Sequence, residues 1–101
     1  MSALTRLAEK VEAGTASTMA FEDAGFDGWA ELAYHGSLDA AMALHEAVLP
    51  EWYWSRASSG LFCVMRWDNG RIRASAGATA DTPARAWLLA ILRVLIERET
   101  P

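Results

Sequence analysis

Glu31, His35 and Asp39 recur at intervals of four residues, a spacing that lines three ligands along one helical face as metal sites require. Gly36-Ser37 interrupts that face and no fourth ligand stands near it in sequence, so no metal site is assigned. His45-Glu46 opens like the metalloprotease motif H-E-x-x-H, but Leu49 holds the place of the second histidine. Cys63 is the only cysteine, which excludes an intramolecular disulfide and a cysteine-based zinc site. With His35 or His45 it could form a nucleophile and base, a pairing that also needs an orienting group. It lies in an apolar run with no neighbour that would hold it as a thiolate, so a buried thiol is expected. No glycine-rich phosphate loop leads into a helix. Neither enzymatic activity nor a cofactor is expected.

Charge is the more informative chemistry. From Val11 to Ser55 there are eight carboxylates and no Lys or Arg, while from Arg56 onward seven arginines outnumber four acids. The formal net charge is -4. A surface divided in this way steers charged partners. Glu22, Asp23, Asp27 and Glu31 are the candidate partner-binding residues, because spaced carboxylates compete for Arg and Lys clusters that otherwise hold phosphates. The alternative site is a basic one. Arg66, Arg71 and Arg73 lie on the strands, with Arg56 beside them, and Trp52, Tyr53 and Trp54 could stack on single-stranded nucleic acid. Against this, the same aromatics could be core and the arginines solubilising edge charges. The sequence pI of about 5.0 disfavours bulk nucleic-acid binding.

The elements that must position these residues follow from periodicity. Leu4, Leu7, Ala8 and Val11 make one face of a helix that Gly14 closes. Residues 15–19 read as a loop, and a short helix is expected near Gly28–Ala33, carried by Trp29, Leu32 and Ala33. Ser37 caps a helix through Leu49 that stops before Pro50. Trp52–Arg56, Leu61–Trp67 and Arg71–Ala76 form an antiparallel meander, with Asp68-Asn69-Gly70 as the hairpin turn. In the last of these strands Ile72, Ala74 and Ala76 should share one face, and Arg71, Arg73 and Ser75 the wet one. Thr82, with Asp81 as a competing cap, opens a helix from Pro83 to about Arg98. Arg93 and Glu97 on it are spaced as a surface pair.

Both faces of Leu61–Trp67 are largely apolar, so the central strand should be covered on both sides. The expected fold is α+β: one domain, residues 1–101, with a three-stranded antiparallel meander and helices packed on both faces, an α-β-α sandwich. The final helix is apolar around most of its girth, which points to deep packing or to a homodimer through that helix or through the third-strand edge.

Ser37-Leu38-Asp39-Ala40-Ala41 leading to the Trp-bearing strand Trp52–Trp54, then a meander, then Thr82-Pro83-Ala84-Arg85-Ala86, resembles the phage ABA sandwich family of small phage and prophage proteins. The match covers roughly residues 37–98. It implies the layered fold and a phage or prophage origin, and no catalytic residues, since that family's biochemical function is unknown. The function expected is a small, non-enzymatic, phage-encoded interaction protein. It would inhibit a host defence or nucleic-acid-handling complex, in the manner of an anti-CRISPR protein, through its acidic surface. The alternatives are a nucleic-acid-binding accessory and a phage structural or assembly component. Residues 2–13 mix charges with apolar positions unlike a signal peptide, and the longest apolar stretch is too short to span a bilayer, so the host cytoplasm is the expected location.

Overall fold

Four hydroxyls begin four helices. In the computed structural model, which describes residues 2–26 and 28–99, the Oγ of Ser2 accepts from the Thr5 N–H at 3.1 Å, that of Ser17 from Ala20 at 3.4 Å and that of Ser37 from Ala40 at 3.1 Å. The Oγ1 of Thr82 accepts from Arg85 at 3.1 Å. Each satisfies an N–H that the first helical turn leaves unpaired. The chain runs α1 (Ala3–Ala13), α2 (Thr18–Asp23), α3 (Gly28–Tyr34), α4 (Leu38–Val48), β1 (Tyr53–Arg56), β2 (Phe62–Asp68), β3 (Arg71–Ala78) and α5 (Pro83–Glu99). Helix α2 occupies part of the stretch expected as loop. Six residues are too few to display a periodic stripe, although the Ser17 cap was there to be read.

The strands form an antiparallel sheet in the order β1-β2-β3. Asn69 and Gly70 turn β2 into β3, and both take positive φ, 53° and 76°. These are the residue types that tolerate it. The pairing slips between Arg66, opposite Ala74, and Trp67, opposite Ile72. Arg73 is therefore the extra residue of a bulge, and it reverses the expected alternation: Ile72 lies on the opposite face from Ala74 and Ala76.

Helix α5 organises the core. Its buried residues run around the whole cylinder, from Ala84 through Trp87, Leu88 and Leu92 to Val94. It packs on β2 and β3 and also against α1, α3 and α4. Phe62, Val64 and Ala78 meet it from the sheet, and Leu7, Val11, Ala33 and Leu44 from the helices. Burial of each large aliphatic side chain contributes about 1.5–3 kcal/mol. The apolar girth that suggested a dimer through α5 is thus absorbed within the chain. Arg93 does not form the expected surface pair with Glu97: its guanidinium donates to the Gly77 carbonyl and meets Glu12 at 3.8 Å. It joins α5 to β3 and α1.

The α+β class, with a three-stranded antiparallel meander among layered helices, is as expected. Cover of the sheet is unequal, however. The Phe62 and Val64 side of β2 is sealed by α5, whereas Cys63 and Met65 on the other side are only half-buried. The central strand is therefore not sealed on both faces. The physical reason is that α1, α3 and α4 spend their apolar stripes on α5.

Candidate functional site

The expected acidic residues come from two short helices. Phe21 and Ala20 anchor α2 in the core, which leaves Glu22 and Asp23 exposed on its outer side. Ala30, Ala33 and Tyr34 form the inward stripe of α3, and its two alanines let α4 approach closely. The two helices are tied at the surface, where Thr18 Oγ1 donates to Glu31 Oε2. This bond brings Glu31 beside α2, the helix that carries Glu22 and Asp23, and Asp27, the fourth expected member, lies outside the described residues. Asp23 shares a small cleft with Arg6 and Lys10 of α1, so its charge is partly offset. Glu22, Asp39, Glu46 and Glu51 are exposed and have no ion pair among the described residues.

The sequence reading missed the apolar part of this surface. Met19, Trp29 and Leu32 are exposed. Trp29 and Leu32, whose spacing with Ala33 predicts the helix, are one helical turn apart and face outward, because α3 turns Ala30, Ala33 and Tyr34 inward. Beside Trp29 lies a groove of about 200 Å³ lined by Gly25, Phe26, Trp29, Leu44, Ala47 and Val48. It is apolar apart from its backbone, and the carboxylate-bearing residue Glu46 adjoins it in sequence. Such a groove accepts an apolar side chain, while the carboxylates carried by the same helices accept hydrogen bonds from cations.

The alternative basic residues take other positions. Arg66, Arg71 and Arg73 are all exposed near the β2–β3 hairpin end. Arg73 pairs with Asp68 at 3.6 Å. Arg66 helps line a cavity of about 260 Å³ with Trp52, Ala74, Val94, Glu97 and Arg98. The Arg98 guanidinium sits 5.6 Å from the Trp52 ring centroid, within cation–π range. The three aromatics do not form one stacking platform. Trp54 stacks on Phe62 and lies 4.6 Å from Trp87 on the α5 side, and Tyr53 points to the other face.

The remaining reactive types are dispersed. His45 is buried: its Nδ1 accepts from Trp87 Nε1–H at 3.2 Å, which leaves Nε2 to donate to the Trp52 carbonyl at 2.8 Å. Cys63 faces the other side of the sheet, and His35 is an exposed residue against the edge of Tyr34. The structure brings neither histidine to the thiol. Among the described residues no three His, Cys, Asp or Glu side chains gather as a metal site would need. No helix of the described residues is long and apolar enough to cross a membrane. Comparison with protein-family models, curated proteins and solved structures gives no match, so the resemblance to the phage ABA sandwich family rests on residues 37–98 alone.

Proposed function

We propose that this chain is a non-enzymatic interaction protein that docks the acidic side of α2–α4 on a basic protein surface. The observation that carries the reading is the exposed Trp29 and its apolar groove on helices α2–α4, which carry carboxylates and no Lys or Arg. Interfaces concentrate their binding energy in such aromatic anchors, and rim charges select the partner. A basic surface evolved to hold phosphates is the complementary one. The biological role that follows is a phage-encoded inhibitor acting in the host cytoplasm on a defence or nucleic-acid-handling complex, protein or ribonucleoprotein, as anti-CRISPR proteins do.

The test is capture of such a complex from bacterial lysate by the wild type and two variant sets. Reversing Glu22, Asp23, Asp27 and Glu31 to Lys should weaken capture about tenfold or more and leave the fold intact. Changing Arg66, Arg71 and Arg73 to Glu should leave capture unchanged. The opposite pattern, with a salt-dependent shift of an oligonucleotide by the wild type, would transfer the function to the arginines and to nucleic acid.

A further inference from the structure

We propose that a second copy of this chain docks on the open face of the sheet, giving a two-fold dimer with the sheets packed face to face. Register fixes the composition of that face. Tyr53 lies opposite Met65, and Trp67 opposite Ile72. Strand alternation puts all four on one side. Tyr53 is 63% exposed, Trp67 46% and Ile72 51%. Ser55, Cys63, Ser75 and Gly77 complete the face, and none of the eight carries charge. The charged strand residues Arg56, Arg66, Asp68 and Arg71 belong by the same register to the α5 side, and Arg73, the unpaired bulge residue, meets Asp68 of that side at 3.6 Å. The bulge is what separates the two sets: it moves Ile72 out of line with Ala74 and into the apolar patch.

The chemistry of the face selects its occupant. A nucleic acid would find aromatic rings but no cation among them, and phosphate contacts supply most of such affinity. A basic protein would find no carboxylate. A second uncharged, apolar, pleated face is complementary, and two such faces stack about 10 Å apart. The same patch then serves both copies, as a two-fold axis requires. The helical side cannot compete for this role, because its carboxylates would face their own copies. Strands of 4, 7 and 8 residues, about 4.8 Å apart and rising about 3.3 Å per residue, give a face of roughly 300 Å² per copy, against about 800 Å² in a standard interface. The dimer is accordingly a weak one that depends on concentration.

Sedimentation of the full chain between about 5 and 500 µM tests this. The mass should rise from 11.0 kDa toward twice that value. Trp67→Lys with Ile72→Lys should hold it at the monomer, while Trp29→Lys on the helical side should leave the dimer in place. Alkylation of Cys63 in the unaltered protein supplies a readout independent of the variants: its rate should fall several-fold across the same range. A monomer at every concentration, a labelling rate that stays constant, or a dimer indifferent to the sheet substitutions would each overturn the proposal. So would saturable binding of a single-stranded oligonucleotide that Trp67→Lys abolishes, which would give the face to nucleic acid.

Discussion

His45 holds together three parts of the chain that share no sequence neighbourhood. Its ring sits on α4, takes the indole N–H of Trp87 from α5, and donates to the Trp52 carbonyl just before β1. Both nitrogens are satisfied in a ring only 4% exposed. This fixes the tautomer, with the proton on Nε2. His45→Ala leaves a buried indole N–H and a carbonyl without partners as well as a void, at about 1–3 kcal/mol for each orphaned group. His45→Phe fills the space and still orphans both. If the hydrogen bonds carry the effect, urea denaturation should show both variants destabilised by about 2 kcal/mol or more. If packing carries it, the Phe variant should recover most of the loss. The sequence offered this histidine as half of a metalloprotease motif and as a base for Cys63. Leu49 in the place of the second histidine already removed the first reading, whereas the actual role of the ring depends on Trp87, forty-two positions away.

At the scale of elements, the hydroxyl caps illustrate how much depends on what an element touches. Thr82→Ala removes the cap of α5, a change worth about 1 kcal/mol. Because α5 packs on the sheet and on three helices, that loss should appear in the global unfolding free energy. Ser2→Ala at α1 removes an equivalent bond at a chain end and should chiefly accelerate hydrogen exchange in the first turn. Equal global effects from the two would show that α1 unfolds only with the rest. The same contrast explains what could be read in advance. Capping residues, the Asn69-Gly70 turn and the long apolar run of α5 are local signals, and the meander and its flanking helices followed from them. The bulge at Arg73 was not legible, because one unpaired residue exchanges the two faces of a strand without changing its composition. Nor was the side of α3 that faces inward. Trp29 and Leu32 are the larger apolar residues, but Ala30 and Ala33 allow the closer approach of α4, and tertiary packing chose them. The apolar part of the candidate site therefore stayed hidden, while its carboxylates were visible from charge alone.

For the whole molecule, the division of charge sets stability and binding against each other. The acidic side from Glu22 to Glu51 has little internal compensation, since the described ion pairs lie elsewhere: Arg73 with Asp68, Arg85 with Asp81 and Arg93 with Glu12. Like charges gathered on one side repel, which costs the folded state some stability and leaves its field available to a partner. The three pairs are exposed in at least one member and contribute little. Salt should therefore act in two directions. Between about 0.05 and 0.5 M the screening length shrinks from roughly 14 to 4 Å. The free protein should melt at a higher temperature as its self-repulsion is screened, whereas its complex with a basic partner should weaken. Glu22→Gln with Glu46→Gln should reproduce both effects at low salt, raising the melting temperature while reducing affinity. Calorimetry of the free chain and titration of the complex across the same salt series measure the two signs. A melting temperature that falls with salt would show that the carboxylates are too dispersed to repel and that the ion pairs dominate. An affinity that rises with salt would show that the apolar groove beside Trp29, and not the charge around it, carries the binding.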